Sequence, residues 1–178
     1  MYLMKVYFDN VIVSGKIRSD LKPTAEMTAV KGLVECERRG QVEIVTSRES
    51  WREQENTKDA ATREALRQAR PDTAVVPYDH EVFGFSCIPD RYGGFISNPT
   101  VTDVIDQALF DDLKARGLEK HDADARHLMY AVRNGCSRFV TLDPDFLDNR
   151  TRLEEGCESL RIVKPSELLA ELVATIGP

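Results

Sequence analysis

The amino-acid sequence predicts an α/β fold, three layers deep (α/β/α), around a mostly parallel central sheet, in a single domain spanning residues 1–178. Three observations carry that reading. Short apolar runs alternate with longer segments whose apolar residues recur at helical spacing. The order reads strand, helix, strand, helix, extended insertion, helix, helix, strand, strand, helix, an alternation that builds a parallel sheet covered on both faces. Glycine and proline mark the boundaries: Gly40 and Gly135 follow helical segments, and Pro144 and Pro165 open new ones.

Met4-Lys-Val-Tyr-Phe is the first strand, ending at Asp9-Asn10. The apolar run Val11 to Val13 follows, then Ser14-Gly15, and the polar residues 16–23 form a loop ending in Pro23. Thr24 caps the next helix, with Glu26 in its first turn and Ala25, Ala29, Leu33 and Cys36 as its apolar stripe. Val42-Glu-Ile-Val-Thr is the second strand. Ser47 caps a long charged helix reaching Ala69, with few apolar residues beyond Trp51, Ala60, Ala61, Ala65 and Leu66. Residues 73–76 read as a short strand or extended segment.

Residues 77–116 form an insertion. Its first part holds the aromatics Tyr78, Phe83, Phe85, Tyr92 and Phe95, too apolar a set for a disordered linker. Residues 100–116 form a helix with Val104, Ile105, Ala108, Leu109 and Leu113 on its inner side. The stretch 121–146 organises the rest. Ala125, Leu128, Met129 and Val132 give a helix one buried face. Gly135 ends that helix, and Arg138-Phe-Val-Thr-Leu is a buried strand delivering Asp143 to its C-terminal end. A short helix follows, then the last strand Leu160-Arg-Ile-Val and a helix opened by Pro165 with Leu168, Leu169, Leu172 and Val173.

A length of 178 residues suffices for one domain with a proper core. Hydrophobic residues at 42% and charged residues at 30% are ordinary for a soluble globular protein. The net charge of −6 supplies no bulk basic field, so a polyanion would depend on a local patch or bound cations. Cys36, Cys87, Cys136 and Cys157 show neither a CxxC pair nor zinc-like spacing and read as reduced, buried small hydrophobes. No signal peptide and no apolar run of about 18 residues is present, so a cytoplasmic protein without a membrane span is expected.

The chemistry lies in acidic residues. Asp9 follows the first strand, Asp143 follows a later one, and Asp124 lies in the first turn of the helix between them. In an open α/β sheet the edge formed by strand C-termini is where ligands bind. Two unit charges ~4 Å apart repel by ~4 kcal/mol at an effective dielectric near 20, so such carboxylates share a pocket only when protonated or neutralised by cations. Mg²⁺ and Mn²⁺ prefer oxygen ligands and fit this set. Each acidic residue also has a plainer role. Asp143 before Pro144 is a helix N-cap. Asp124 suits a helix dipole, and Asp122 caps the same helix equally well. Asp145 reads as a solvated first-turn carboxylate, with metal ligation as the alternative. Glu53 lies between Glu49 and Glu55 on a charged helix. His127 reads as a structural imidazole rather than a ligand, and His80 and His121 carry no signal. Arg48, Arg52, Arg63 and Arg67 read as a solvated face paired with glutamates, with RNA phosphates as the alternative contact.

The set resembles the PIN-domain ribonucleases. The matching residues are Tyr7-Phe-Asp-Asn-Val-Ile-Val-Ser-Gly, Val45-Thr-Ser with Glu53, Asp124-Ala-Arg-His with Ala131 and Gly135, Phe139-Val-Thr-Leu-Asp-Pro-Asp-Phe, and Arg161-Ile-Val-Lys-Pro. They cover residues 4–69 and 120–176, and residues 77–116 match nothing in the family. The resemblance implies a PIN-like fold and an Mg²⁺- or Mn²⁺-dependent endoribonuclease that hydrolyses single-stranded RNA. It implies Asp9, Glu53, Asp124 and Asp143 as the catalytic set, and Asp9, Asp124 and Asp143 as the metal ligands. Thr141, Ser47 and Asn10 would orient carboxylates or waters. Members of this kind are often the toxin of a toxin–antitoxin pair and commonly dimerise, which implies an antitoxin protein and a second copy as partners.

Two other readings stand beside it. A catalytically silent PIN-like module would bind RNA or protein without metal. A haloacid-dehalogenase-like phosphatase also places an aspartate after its first strand, but it needs a second one at the position of Val11.

Overall fold

The structure is a computed structural model and describes residues 4–18, 25–69, 74–75 and 106–176. Among the described residues, five strands form one sheet: β1 (Met4–Phe8), β2 (Val42–Thr46), β3 (Ala74–Val75), β4 (Arg138–Val140) and β5 (Arg161–Val163). Their order is β3-β2-β1-β4-β5, and every pairing is parallel. All five strands therefore end at one edge. β1 lies between strands that follow it in opposite directions across the sheet, so the crevice beyond β1 and β4 is the topological switch point of the fold.

The strands alternate their side chains between two apolar clusters, as the two-residue period of a pleated strand requires. Tyr7, Val45, Phe139 and Ile162 join one cluster. Val6, Phe8, Ile44, Val140 and Val163 join the other. On the first face lie α5 (Gln107–Leu113), α6 (Asp122–Arg133), α7 (Pro144–Asp148) and α8 (Arg150–Glu155). On the second lie α1 (Asn10–Arg18), α2 (Ala25–Arg38) and α9 (Pro165–Ile176). The expected layering of helices on both sides of a parallel sheet is met.

Three elements differ from the expectation. Residues 10–18 form α1, so the predicted loop begins late. Asp9 starts this helix, its carbonyl accepting from the amides of Ile12 and Val13 at 3.0 and 3.2 Å. The β-branched run Val11-Ile-Val hid it, because tertiary burial of Ile12 overrides a weak local propensity.

The long helix predicted from Ser47 to Ala69 is two helices, α3 (Arg48–Glu55) and α4 (Ala60–Ala69). Asp59 makes the break, its carboxylate accepting from the Thr62 amide at 2.6 Å as an N-cap does. Asp106 caps α5 through the Leu109 amide at 3.0 Å, and α5 then passes into a π turn, Lys114–Leu118. Gly117 there has φ 135°, a conformation that favours glycine, and a Cβ would meet the Asn149 side chain at 2.6 Å.

α6 buries Ala125, Leu128 and Met129 as expected, while Val132 is half-buried. Gly135 ends the segment with φ 67°. Cys36, Cys136 and Cys157 are free thiols, half-buried, buried and buried. The aromatic insertion up to residue 105, the Thr24 cap and Cys87 lie outside the described residues. No helix among the described residues is long and apolar enough to cross a membrane.

Candidate functional site

The strand C-termini gather the polar residues that are buried. Asp9, Thr46, Ser47, Glu49, Ser50, Gln54, His127 and Thr141 are all 6% exposed or less. Burying a polar group is costly unless it is bonded, so their partners define the site.

Asp9 lies one residue past β1. Its amide donates to the Val140 carbonyl at 3.1 Å, which continues the β1–β4 ladder and sets the carboxylate beside Thr141. The Thr141 hydroxyl donates to Asp9 Oδ2 at 2.7 Å and accepts from the Asp143 amide at 2.9 Å, joining two of the predicted acidic residues. Asp9 Oδ1 accepts from the Asn10 amide at 2.7 Å. Burial raises the Asp9 pKa to about 6, against the pull of His127 and the Thr141 hydrogen bond.

Asp143 caps α7, accepting from the Asp145 amide at 2.9 Å. Asp124 lies in the first turn of α6. Its pKa is raised to about 7, first by burial and then by the charges of Asp9 and Asp143, with a smaller push from Glu53 and an opposing pull from His127. Three carboxylates distant in sequence thus act electrostatically on a fourth. Asp122, the competing cap, is exposed and paired with Lys114.

Glu53 reaches the site from the second turn of α3. Its Oε2 lies 3.1 Å from His127 Nε2. His127 is fully buried, and its Nδ1 lies 2.6 Å from the Tyr7 hydroxyl, which donates to Ser47 Oγ at 2.6 Å. Burial alone would lower the His127 pKa. The hydrogen bond and charge of Glu53, then the charges of Asp9 and Glu49, outweigh it and raise the value. Next to this pair Arg126 meets the buried Glu49 at 2.9 Å, so α6 is fastened to α3 at two points. Ser47 therefore faces the Tyr7–His127 chain. Asn10 Oδ1 accepts from Ser14 Oγ and Gln54 Nε2 at 2.9 and 3.2 Å, tying α1 to α3.

The tightest group of metal donors among the described residues is His121, Asp124 and Asp145, whose ligand atoms lie within 4.8 Å of one another. It shares only Asp124 with the expected set, and Asp9 and Asp143 reach that residue through their charges. His121 Nδ1 lies 3.3 Å from Asp124 and its Nε2 3.5 Å from Asp145. The donors are carboxylate oxygens and one imidazole, which fits a hard or borderline divalent cation, Mn²⁺ better than Mg²⁺. The raised values of Asp9 and Asp124 suit such a group, since a bound cation would offset the burial and the neighbouring charges that raise them.

Sequence reasoning passed over His121, the Tyr7–His127 chain and the Arg126–Glu49 pair. Two signals were available. His121 and Asp124 are three apart at a helix start, and a tyrosine in a buried strand needs a partner for its hydroxyl. The arginines are largely engaged: Arg52 with Glu49 at 3.1 Å, Arg67 with Glu55 at 2.5 Å, and Arg63 with the Thr57 carbonyl at 2.8 Å. No protein-family model, curated protein or solved structure matches this chain.

Proposed function

We propose that the chain is a divalent-metal-dependent endoribonuclease of the PIN type, acting on single-stranded RNA in the cytoplasm. One observation carries the reading: Asp9, Glu53, Asp124 and Asp143, from four separate elements, converge at the strand C-termini, where Thr141 bonds both Asp9 and the Asp143 amide and where burial and the other three charges raise Asp124 to about 7. A structural core has no use for such crowding, and a cation site does.

Asp9, Asp124 and Asp143 would hold the cation, and His121 and Asp145, grouped with Asp124, are further donors that could join them. When bound, it supplies Lewis-acid activation of a phosphodiester and of water. Thr141 keeps Asp9 and Asp143 at fixed separation. Glu53, outside the metal set, is assigned the proton of the attacking water. Water oxygen bonds to phosphorus, its proton passes to Glu53, and the bond to the 3′ oxygen breaks, that oxygen taking a proton from solvent. A toxin role, with an antitoxin and a second copy as partners, is part of the same proposal and rests on the family resemblance.

The test is cleavage of single-stranded RNA by the full chain with Mn²⁺ and with EDTA, beside Asp143→Asn and Asp9→Asn. Asparagine keeps the α7 cap, so Asp143→Asn isolates the charge. Cleavage should require Mn²⁺ and fall ~10³-fold or more in each variant, and millimolar Mn²⁺ should raise the wild-type Tm alone. Cleavage that persists in EDTA, or in both variants, rejects the reading. Absence of both a Mn²⁺-dependent rise in Tm and cleavage favours the silent RNA- or protein-binding module.

A further inference from the structure

The residue the acidic set does not account for is His127. It is fully buried on the inner face of α6, among Leu128, Met129 and Ala131. An apolar side chain would fill such a position with less cost. Both ring nitrogens are instead engaged, Nδ1 with the Tyr7 hydroxyl at 2.6 Å and Nε2 with Glu53 at 3.1 Å.

The chain has a direction. The Tyr7 hydroxyl gives its proton to Ser47, so its oxygen is left to accept from Nδ1–H, and a carboxylate at Nε2 accepts a second N–H. The inner end is anchored in rigid elements: Tyr7 in the central strand and Ser47 just past β2. Glu53 is the only part on a solvent-touched surface, with its side chain 28% exposed. An unsupported glutamate there would sample several rotamers; this one is held at Oε2.

We propose that His127 is a positioning residue that, braced by Tyr7 and Ser47, aims the Glu53 carboxylate into the acidic crevice. The proposal deepens the ribonuclease reading and rests on it for its kinetic test. Its spectroscopic test stands apart from that reading.

Two substitutions divide the ring's contacts. His127→Gln places an amide N–H near Nε2 and keeps a donor for Glu53. His127→Asn places its amide near Nδ1 and keeps only the Tyr7 side. Positioning of Glu53 predicts that His127→Asn lowers kcat ~10–100-fold at unchanged Mn²⁺ midpoint and KM, while His127→Gln recovers most of the loss. The double variant His127→Asn, Glu53→Gln should be no slower than Glu53→Gln alone. If His127 only supports the core through Tyr7, the order of the two variants reverses and the double variant is slower, which overturns the proposal. Should the His127 variants not fold, Tyr7→Phe takes their place, with ~10-fold lower kcat expected and unchanged kcat overturning the proposal.

Nitrogen-15 spectra of the histidine rings add a readout that needs no substrate. Two protonated ring nitrogens are expected for His127 at pH 7, with the Nε2 signal displaced in Glu53→Gln. If wild-type protein cleaves no RNA, the ribonuclease reading fails and these spectra decide the pairing. An Nε2 signal unmoved by Glu53→Gln overturns it.

Discussion

Helices α2 and α3 flank the same strand, β2, and are held by opposite means. The buried face of α2 is Ala29, Val30 and Leu33, packed in an apolar cluster with Leu168 and Leu172 of α9. The buried face of α3 is Glu49, Ser50 and Gln54. α2 is kept in place by area removed from water, which any residue of suitable shape supplies. α3 is kept in place by particular partners: Ser50 by Thr46 at 2.6 Å, Gln54 by Asn10 at 3.2 Å, Glu49 by Arg126 at 2.9 Å and Glu53 by His127 at 3.1 Å. A helix that buries its polar side gives up stability, and places where a fold departs from the cheapest packing are where function is found.

The largest effect on stability should come from the apolar helix. Leu33→Ala removes a fully buried side chain and should cost ~3 kcal/mol, about 10 °C in Tm for a domain of this size, while leaving the Mn²⁺-dependent rise in Tm intact. A calorimetric scan with and without Mn²⁺ reads both. Loss of the Mn²⁺ response would mean that the two regions are not separable.

Next comes the pH dependence of the site. Asp9 and Asp124 have folded values of about 6 and about 7 against an ordinary 3.8. The folded state therefore binds protons more tightly than the unfolded one. That stability is complete below pH ~4 and is lost as pH rises through 6 and 7. Metal-free protein should lose about 2 kcal/mol from Asp9 alone between pH 4 and 8, at ~1.4 kcal/mol per pKa unit. Mn²⁺ should flatten the profile. A metal-free Tm that climbs over the same range would break the comparison.

The smallest effects contrast two ion pairs. Glu49→Gln weakens a pair whose carboxylate is 2% exposed and should cost ~2 kcal/mol, because the half-buried Arg126 loses its charged partner. Arg39→Ala removes a surface partner of Glu35 beyond the end of α2 and should cost no more than ~0.5 kcal/mol. Urea titration of the two variants side by side measures the difference, and equal costs would show that burial does not matter here.

What the sequence made legible follows the same division. The apolar stripe of α2, the strands of the sheet and the Gly40 and Gly135 stops were readable, because hydrophobic period and positive φ leave local signatures. Asp9 and Asp143 were readable as strand-end carboxylates. α3 was readable only as a charged helix: nothing local marks Glu49 as buried against Arg126 or Glu55 as turned to Arg67. The Tyr7–His127–Glu53 chain joins residues 120 and 74 positions apart, and no single-sequence pattern encodes such separations. His121 had only its three-residue spacing to Asp124 to mark it, and Asp145 joins it through the fold, when α7 brings that carboxylate within 3.5 Å.

The pairing of β1 with β4 has a consequence for how such a chain can change. Tyr7 faces Phe139 and Phe8 faces Val140, so Asp9 falls beside Thr141 by counting along the ladder. Losing or gaining one residue in β1 would turn Asp9 toward the opposite layer and present a neighbour in its place. Lineages that remodel this crevice are thus confined to side-chain exchange or to paired insertions, and the spacing Phe8-Asp9 should resist length variation more than any loop around it.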